Sequence, residues 1–352
     1  MRLAFVAWTP LHIINILNVY RNYYPGAEAD LFIYSEFESA EKYYSSLKNL
    51  SVFSEVFLVD HKKIGTAITR KINLLTNKNR FFMEKIHPYD EIFIQGENYF
   101  SKILFSNIKK ENTKVKLNYI EDGIGTYLER TLFSTSERIQ KIINKWNQYS
   151  IFLQDIANYY VYCPELLIEE PNKVRKIPKI KEHSSLSNEL IEIFGIEEID
   201  IENKYLFFDQ PLLYDGYGVN ESEIAEKIFE ILPKSKEMVI KIHPRGKLDR
   251  YGSNKVLNSS LPFEILLAEN SFNSSVLISP ISTISFSPSM MFDKRVESIL
   301  LVELLLNEYP DISESKRTIL EKISLFCIKY NEISGSKILL PSSWDELRKL
   351  VN

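Results

Sequence analysis

The chain has 352 residues, a formal net charge of −4 and 26% charged residues, which argues against a general nucleic-acid binder, since that class needs a basic surface. Its two cysteines, Cys163 and Cys327, stand far apart with neither CxxC nor Cys/His ligand spacing, which excludes a disulfide framework and a structural zinc and fits a reducing cytoplasm. No apolar run reaches the roughly 20 residues that a spanning helix needs, so any membrane attachment is expected to be peripheral.

A chain of this length exceeds what one core fills, and two domains are expected. Leu3 to Trp8 is a short apolar run, bounded by Thr9-Pro10, that reads as the first strand; the apolar spacing Ile13, Ile14, Leu17, Tyr20 predicts a helix ending at Tyr24-Pro25-Gly26. The alternation continues with a strand over Asp30 to Tyr34, a helix over Glu36 to Leu47, a strand over Val56 to Val59 and a basic helix over 62 to 84. Glu91 to Gln95 is the next strand, Tyr99 to Ile108 its helix and Val115 to Ile120 the strand after it. Strands alternating with helices at this pitch predict a parallel sheet covered on both faces.

From about 131 to 200 the rhythm is lost, and this stretch, with the charged segment Glu169 to Glu182, is expected to be a helical insertion or linker. It resumes with strands at Tyr205 to Phe208, Met238 to Ile242 and Val276 to Ile278, and helices at Glu221 to Ile231 and Phe263 to Glu269. Leu301 to Leu306 and 315 to 325 read as helical, and Ser343 is an expected N-cap for a last helix over Trp344 to Leu350. The predicted architecture is α/β of GT-B type: two Rossmann-like domains with parallel sheets facing across a cleft. The first spans 1–200, with its insertion at about 131–200, and the second 201–352, with the last helix expected to pack back on the first domain.

Four strand ends carry candidate chemistry. Glu121-Asp122-Gly123 follows a strand, with Gly123 and Gly125 allowing a tight turn; two adjacent carboxylates raise the proton affinity of one, which suits a general base, and the structural alternative is a pair that caps the next turn. Asp209 and Asp215 follow the first strand of the second half; Asp215, beside Gly216 and Gly218, can reach an acceptor, while Asp209 is placed to hold its loop. His243-Pro244-Arg245 ends an apolar strand and offers an imidazole and a guanidinium to a phosphate leaving group. Ser282 and Thr283 follow the strand over Val276 to Ile278 and can grip a phosphate or simply cap a helix. Glu264 is a candidate for ribose hydroxyls, and His87-Pro88, lacking an arginine, reads as structural. There is no DxD beside a strand, no GxGxxG, no P-loop and no GxSxG, and the histidines are too dispersed for zinc, so no metal requirement and no cofactor is expected.

The start Trp8-Thr9-Pro10-Leu11, the turn Glu121-Asp122-Gly123, Gln210-Pro211-Leu212, His243-Pro244-Arg245 and Ser282-Thr283 together resemble the bacterial sialyltransferases of glycosyltransferase family 52, with a more distant likeness to bacterial polysialyltransferases. The resemblance implies an inverting, metal-independent GT-B enzyme that uses CMP-sialic acid. In it His243 and Arg245 meet the CMP phosphate, with Ser282 and Thr283 beside it and Glu264 near the ribose. Thr9, Pro10, Gly123 and Asp209 fall on the acceptor or cleft side. The general base is Asp215 by one family pattern and the Glu121-Asp122 turn by the other. The expected acceptor is a terminal galactoside of a bacterial surface glycan, linked 2,3, for a cytoplasmic protein that is peripheral to the inner membrane face and homodimeric. The alternatives are a GT-B transferase using a UDP-hexose in lipooligosaccharide or capsule assembly, and a non-catalytic glycan-binding protein of a capsule complex.

Overall fold

The structure, a computed structural model, describes residues 1–37, 39–64, 68–69, 87–96, 98–128, 156–168, 173–197, 199–243, 251, 256–257, 259–272 and 274–352. Most of the expected helix over 62 to 84 and the first part of the expected insertion, 131 to 155, lie outside these residues. The chain divides into two compact units, Met1–Pro178 with Ser184–Phe194, and Lys179–His183 with Gly195–Asn352. It therefore crosses between units at three points, where the sequence suggested one crossing near 200.

The first unit is built on β1 (Arg2–Ala7), β2 (Glu28–Tyr34), β3 (Glu55–Val59), β4 (Glu91–Ile94), β5 (Lys116–Ile120), β6 (Ile156–Val161) and β7 (Val174–Lys176), in the order β3-β2-β1-β4-β5-β6-β7 with every pairing parallel. Leu3 to Ala7 are buried throughout, as a strand covered on both faces requires. The Phe5 and Phe93 rings of neighbouring strands stack with centroids 4.5 Å apart. Strand order runs outward from β1 to β3 and then jumps back to β4 on the other side of β1. The sheet thus has its topological switch between β1 and β4, the place where ligands of open α/β sheets bind.

Helices α1 (Pro10–Tyr23), α2 (Ala40–Asn49), α3 (Tyr99–Glu111), α4 (Gly125–Leu128) and α5 (Ser185–Phe194) belong to this unit. The α1 helix starts where Thr9 accepts from the His12 backbone N–H at 3.3 Å and Pro10 fills the first turn, where no donor is needed. The βα rhythm continues where the sequence suggested an insertion. β6 and β7 extend the sheet, and α5 packs its Phe194 ring 4.5 Å from that of Tyr43 on α2, while Arg21 donates to Glu189 at 2.9 Å.

The second unit has β8 (Tyr205–Phe208), β9 (Met238–Lys241), β10 (Val276–Ser279), β11 (Glu297–Leu300) and β12 (Ile338–Leu339), all parallel in the order β12-β11-β10-β8-β9. Its helices are α6 (Glu221–Ile231), α7 (Phe263–Glu269), α8 (Ser287–Met291), α9 (Val302–Glu308), α10 (Glu314–Ser334) and α11 (Trp344–Val351). As expected, Ser343 caps α11, accepting from the Glu346 N–H at 3.3 Å. That last helix packs within its own unit: Leu347 and Val351 are buried, Tyr205 donates to the Val351 carbonyl at 2.7 Å and Asn352 to that of Ile231 at 3.2 Å. Among the described residues no helix is long and apolar enough to cross a membrane.

Candidate active site

At the switch point of the first unit three strand ends meet: Trp8 after β1, Gln95-Gly96 after β4 and Glu121-Asp122-Gly123 after β5. Gly123 has φ +72°, a left-handed conformation that glycine adopts without strain, and the turn is fixed where the Asp122 N–H donates to Thr126 Oγ1 at 3.2 Å. The two carboxylates then part company. Glu121 is only 1% exposed and points inward, accepting from the Tyr127 hydroxyl and from the Tyr162 N–H at 2.7 Å. Burial pushes its carboxyl up to about 8, against the opposing pull of those two donors. The Tyr127 hydroxyl accepts in turn from the Cys163 N–H at 3.1 Å, so Glu121 fastens the end of β5 to the chain leaving β6.

Asp122 keeps 41% of its side chain exposed, and its Oδ1 lies 2.6 Å from Nε2 of the fully buried His12. His12 Nδ1 accepts from the Trp8 N–H at 3.3 Å. The Trp8 ring meets the imidazole edge-on at 4.4 Å, and Gln95 donates to the His12 carbonyl at 3.1 Å. Gly96 has φ +140°; a Cβ there would lie 3.2 Å from Trp8 Cζ2 and 3.9 Å from Asp122 Oδ2. A Cβ at this point would press on the Trp8 ring and only touch Asp122 Oδ2. The result is a half-exposed carboxylate backed by a buried histidine at the strand ends, an arrangement able to take a proton from a hydroxyl.

In the second unit Asp209, 2% exposed, ends β8, accepting from the His243 N–H at 3.2 Å through Oδ2 and from the Tyr251 hydroxyl through Oδ1. It ties His243 and Tyr251 to the end of β8 and so sets where His243, half-buried two residues past β9, leaves the sheet. Pro244 and Arg245 lie outside the described residues. Ser282 caps the short turn Thr283–Ser285, accepting from the Ile284 N–H at 3.3 Å, while Ser279 and Ser285 share a hydrogen bond of 2.8 Å. Glu264 is buried, contrary to the solvated helical position usual for that residue, and accepts from Ser287 Oγ at 3.3 Å; Ser287 also reaches the Thr283 carbonyl at 3.4 Å. Burial pushes the Glu264 carboxyl up and the Lys241 ammonium down, the charges of Glu197 and Glu264 opposing the latter shift. Asp215 is half-buried in a turn closed by its N–H to the Pro211 carbonyl at 2.8 Å, with Gly216 and Gly218 at φ +80° and +69°.

The first unit thus gathers Thr9, Pro10, Glu121, Asp122 and Gly123. Thr9 and Pro10 serve as the cap and first turn of α1, which carries His12 into place. The second unit joins Asp209 to His243, and Glu264 to Thr283 by way of Ser287. His12, Gly96, Tyr127 and Tyr251 were not among the candidate residues of the sequence, and Trp8 entered only as part of its starting motif. One signal for His12 was available, its position three residues after the capping Thr9. One group with metal-ligand chemistry exists among the described residues, Asp30, Glu55 and His87, whose ligand atoms lie within 4.8 Å of one another at the opposite ends of the strands. Asp30 there already accepts from Arg2 at 2.9 Å, Tyr89 at 2.7 Å and the Glu55 N–H at 3.1 Å.

Residues 3–295 match the family model described as Alpha-2,8-polysialyltransferase (POLYST). Among solved structures, the UDP-GlcNAc 2-epimerase of Methanocaldococcus jannaschii, in complex with UDP-GlcNAc and UDP, aligns with a TM-score of 0.56 at 15% identity over 100% of this chain and 92% of that one. A second structure of that enzyme gives the same values. The likeness shows the fold, GT-B, with two Rossmann-like α/β units. A curated relative, the DNA-directed RNA polymerase subunit beta' of Euglena longa, is 28% identical over 128 residues, 35% of this chain. The chain spans about a fifth (20%) of that relative's length.

Proposed function

This chain belongs to the alpha-2,8-polysialyltransferase family, and from that premise we propose that it moves sialic acid from CMP-sialic acid to a hydroxyl of a terminal sugar on a glycan, inverting the anomeric centre. The observation that carries this reading is Asp122, half-exposed at the switch point and backed by buried His12 at 2.6 Å. The step is a single displacement. The acceptor oxygen forms its bond to the anomeric carbon, the bond to the CMP phosphate oxygen breaks with its electron pair, and the hydroxyl proton passes to Asp122. His243, held by Asp209, and Arg245 offset the charge that gathers on departing CMP, with Ser282 and Thr283 beside the phosphate and Glu264 toward the ribose. The scheme assigns the leaving phosphate to cationic and hydroxyl side chains and routes no step through a metal ion.

Three carboxylates compete as base. Glu121 is buried and engaged by Tyr127 and Tyr162, which favours a clamping role, and Asp215 belongs to a turn of the second unit; Asp122 combines exposure with an orienting partner. For the acceptor, the family description favours a sialic acid terminus linked 2,8 over the galactoside linked 2,3 that the motifs alone suggest.

The test is a donor panel of CMP-sialic acid, UDP-hexoses and GDP-hexoses with lactose and sialyllactose as acceptors, followed by linkage analysis of the product. Transfer from CMP-sialic acid is expected, with sialyllactose the better acceptor. Transfer from a UDP-hexose alone points to the second transferase reading, and glycan binding with no donor consumed points to the non-catalytic one. Asp122→Asn is expected to lower kcat by about 10²-fold or more, whereas a loss of that size in Asp215→Asn alone moves the base to the second unit.

A further inference from the structure

We propose that His12 is the positioning residue of the base, acting as a fixed hydrogen-bond donor to Asp122 and not as a proton relay; the inference rests on the reading of Asp122 as base.

The argument starts at the first turn of α1. Where the chain leaves β1 the backbone N–H groups lose their ladder partners, and a helix start must find acceptors for them. Thr9 is the N-cap, and His12, three residues on, stands where a capping box places Glu or Gln to reach back to a backbone N–H. His12 does this with its ring. Nδ1 accepts from the Trp8 N–H at 3.3 Å while Thr9 Oγ1 accepts from the His12 N–H at 3.3 Å. The reciprocal bonds lock the start of the helix.

The lock decides the tautomer. A nitrogen that accepts a backbone N–H carries no proton, so the ring hydrogen sits on Nε2 and is donated to Asp122 Oδ1 at 2.6 Å. The imidazole is fully buried, with the Trp8 ring edge-on at 4.4 Å and Gln95 on its backbone carbonyl, and a flipped ring would give up the bonds of both nitrogens. A second proton on Nδ1 would break the bond to Trp8. His12 can therefore hold Asp122 but has no lone pair with which to take its proton onward. One carboxylate oxygen is pinned, which leaves Oδ2 to take the proton of the acceptor hydroxyl. Glutamate, the usual capping-box residue, would close the same helix start but would set a second carboxylate against Asp122.

The experiment compares His12→Phe, which keeps the bulk and removes both nitrogens, with His12→Gln, whose amide can both accept from Trp8 and donate to Asp122. CMP-sialic acid and sialyllactose serve as substrates. In His12→Phe, kcat is expected to fall about 10- to 100-fold with KM changed less than about 3-fold, the range usual for a partner that orients a reacting group. His12→Gln is expected to recover most of that loss, and His12→Phe added to Asp122→Asn to lose no more than about 2-fold beyond Asp122→Asn alone. Equal losses in Phe and Gln, a normal His12→Phe, or losses that multiply in the double variant overturn the inference. Normal turnover in Asp122→Asn alone instead overturns the base assignment beneath it, so the two failures are told apart. A measurement on the unaltered protein guards against misfolded variants. In a ¹⁵N-histidine spectrum the resonance pair missing from His12→Gln is expected to show a protonated Nε2 and a bare Nδ1, and a proton on Nδ1 overturns the proposal.

Discussion

Side by side on one turn, Glu121 lies in the protein interior and Asp122 at its surface, and burial ties Glu121 to the pH dependence of stability. The Glu121 carboxyl, ordinarily near 4.5, is pushed by burial to about 8, so the folded protein holds a proton there that the unfolded chain releases. The stability this proton supplies is complete below about 4.5 and declines as pH rises toward about 8. Glu121→Gln mimics the protonated group. Its urea midpoint, followed from pH 5 to pH 8, is expected to fall less steeply than that of the parent, which loses up to about 1.4 kcal/mol per pH unit from this group; parallel curves would sink the idea. Tyr127→Phe removes a donor from Glu121 and the acceptor of the Cys163 N–H, and is expected to cost about 1–3 kcal/mol in the same assay. On the leaving-group side, His243→Ala is expected to lower kcat by about two orders of magnitude, and near-normal activity would remove it from the mechanism.

The strands and helices that form the site were legible to different degrees, for physical reasons. β1, β2, β4, β8 and β10 are buried apolar runs, and such runs announce themselves. β7 is Val-Arg-Lys with two exposed positions, β12 is two residues long, and β6 carries Asn158 in its middle, so none shows the apolar run of a covered strand. The acidic turn could be found because its glycines mark the end of a strand. His12 offered only its place three residues after Thr9, since it lies inside an apolar helical pattern 110 residues before Asp122, and the order β1-β4-β5 brings the two together. Gly96 carries the same lesson in a form that can be measured. Its φ of +140° and the 3.2 Å approach to Trp8 make Gly96→Ala unfavourable on both counts. The variant is expected to lower Tm and to shift tryptophan fluorescence through Trp8, and unchanged emission would show that this contact is slack.

Each unit has a core of its own, so the whole molecule is expected to unfold in more than one step. Phe194 is buried against Tyr43 in the first unit, and Phe286 packs with its centroid 5.2 Å from Phe326 and 5.3 Å from Tyr330 in the second. Truncating either to Ala is expected to remove about 3–5 kcal/mol. In calorimetry Phe194→Ala should lower one transition and Phe286→Ala the other, while a single transition moved equally by both would mean that the units unfold as one.

The position of α5 in the chain matters at birth. Nascent domains generally fold from the amino terminus as they leave the ribosome, yet this first unit is unfinished when its last strand, β7, has emerged. Its closing helix is translated only after Lys179–His183, which belong to the other unit. Until Phe194 arrives, the ring of Tyr43 lacks a neighbour that buries it in the finished protein. A pause in translation between the codons for Lys176 and Phe194 would leave that aromatic surface open to chaperones or to other nascent chains, and faster synthesis through this stretch would shorten the exposure.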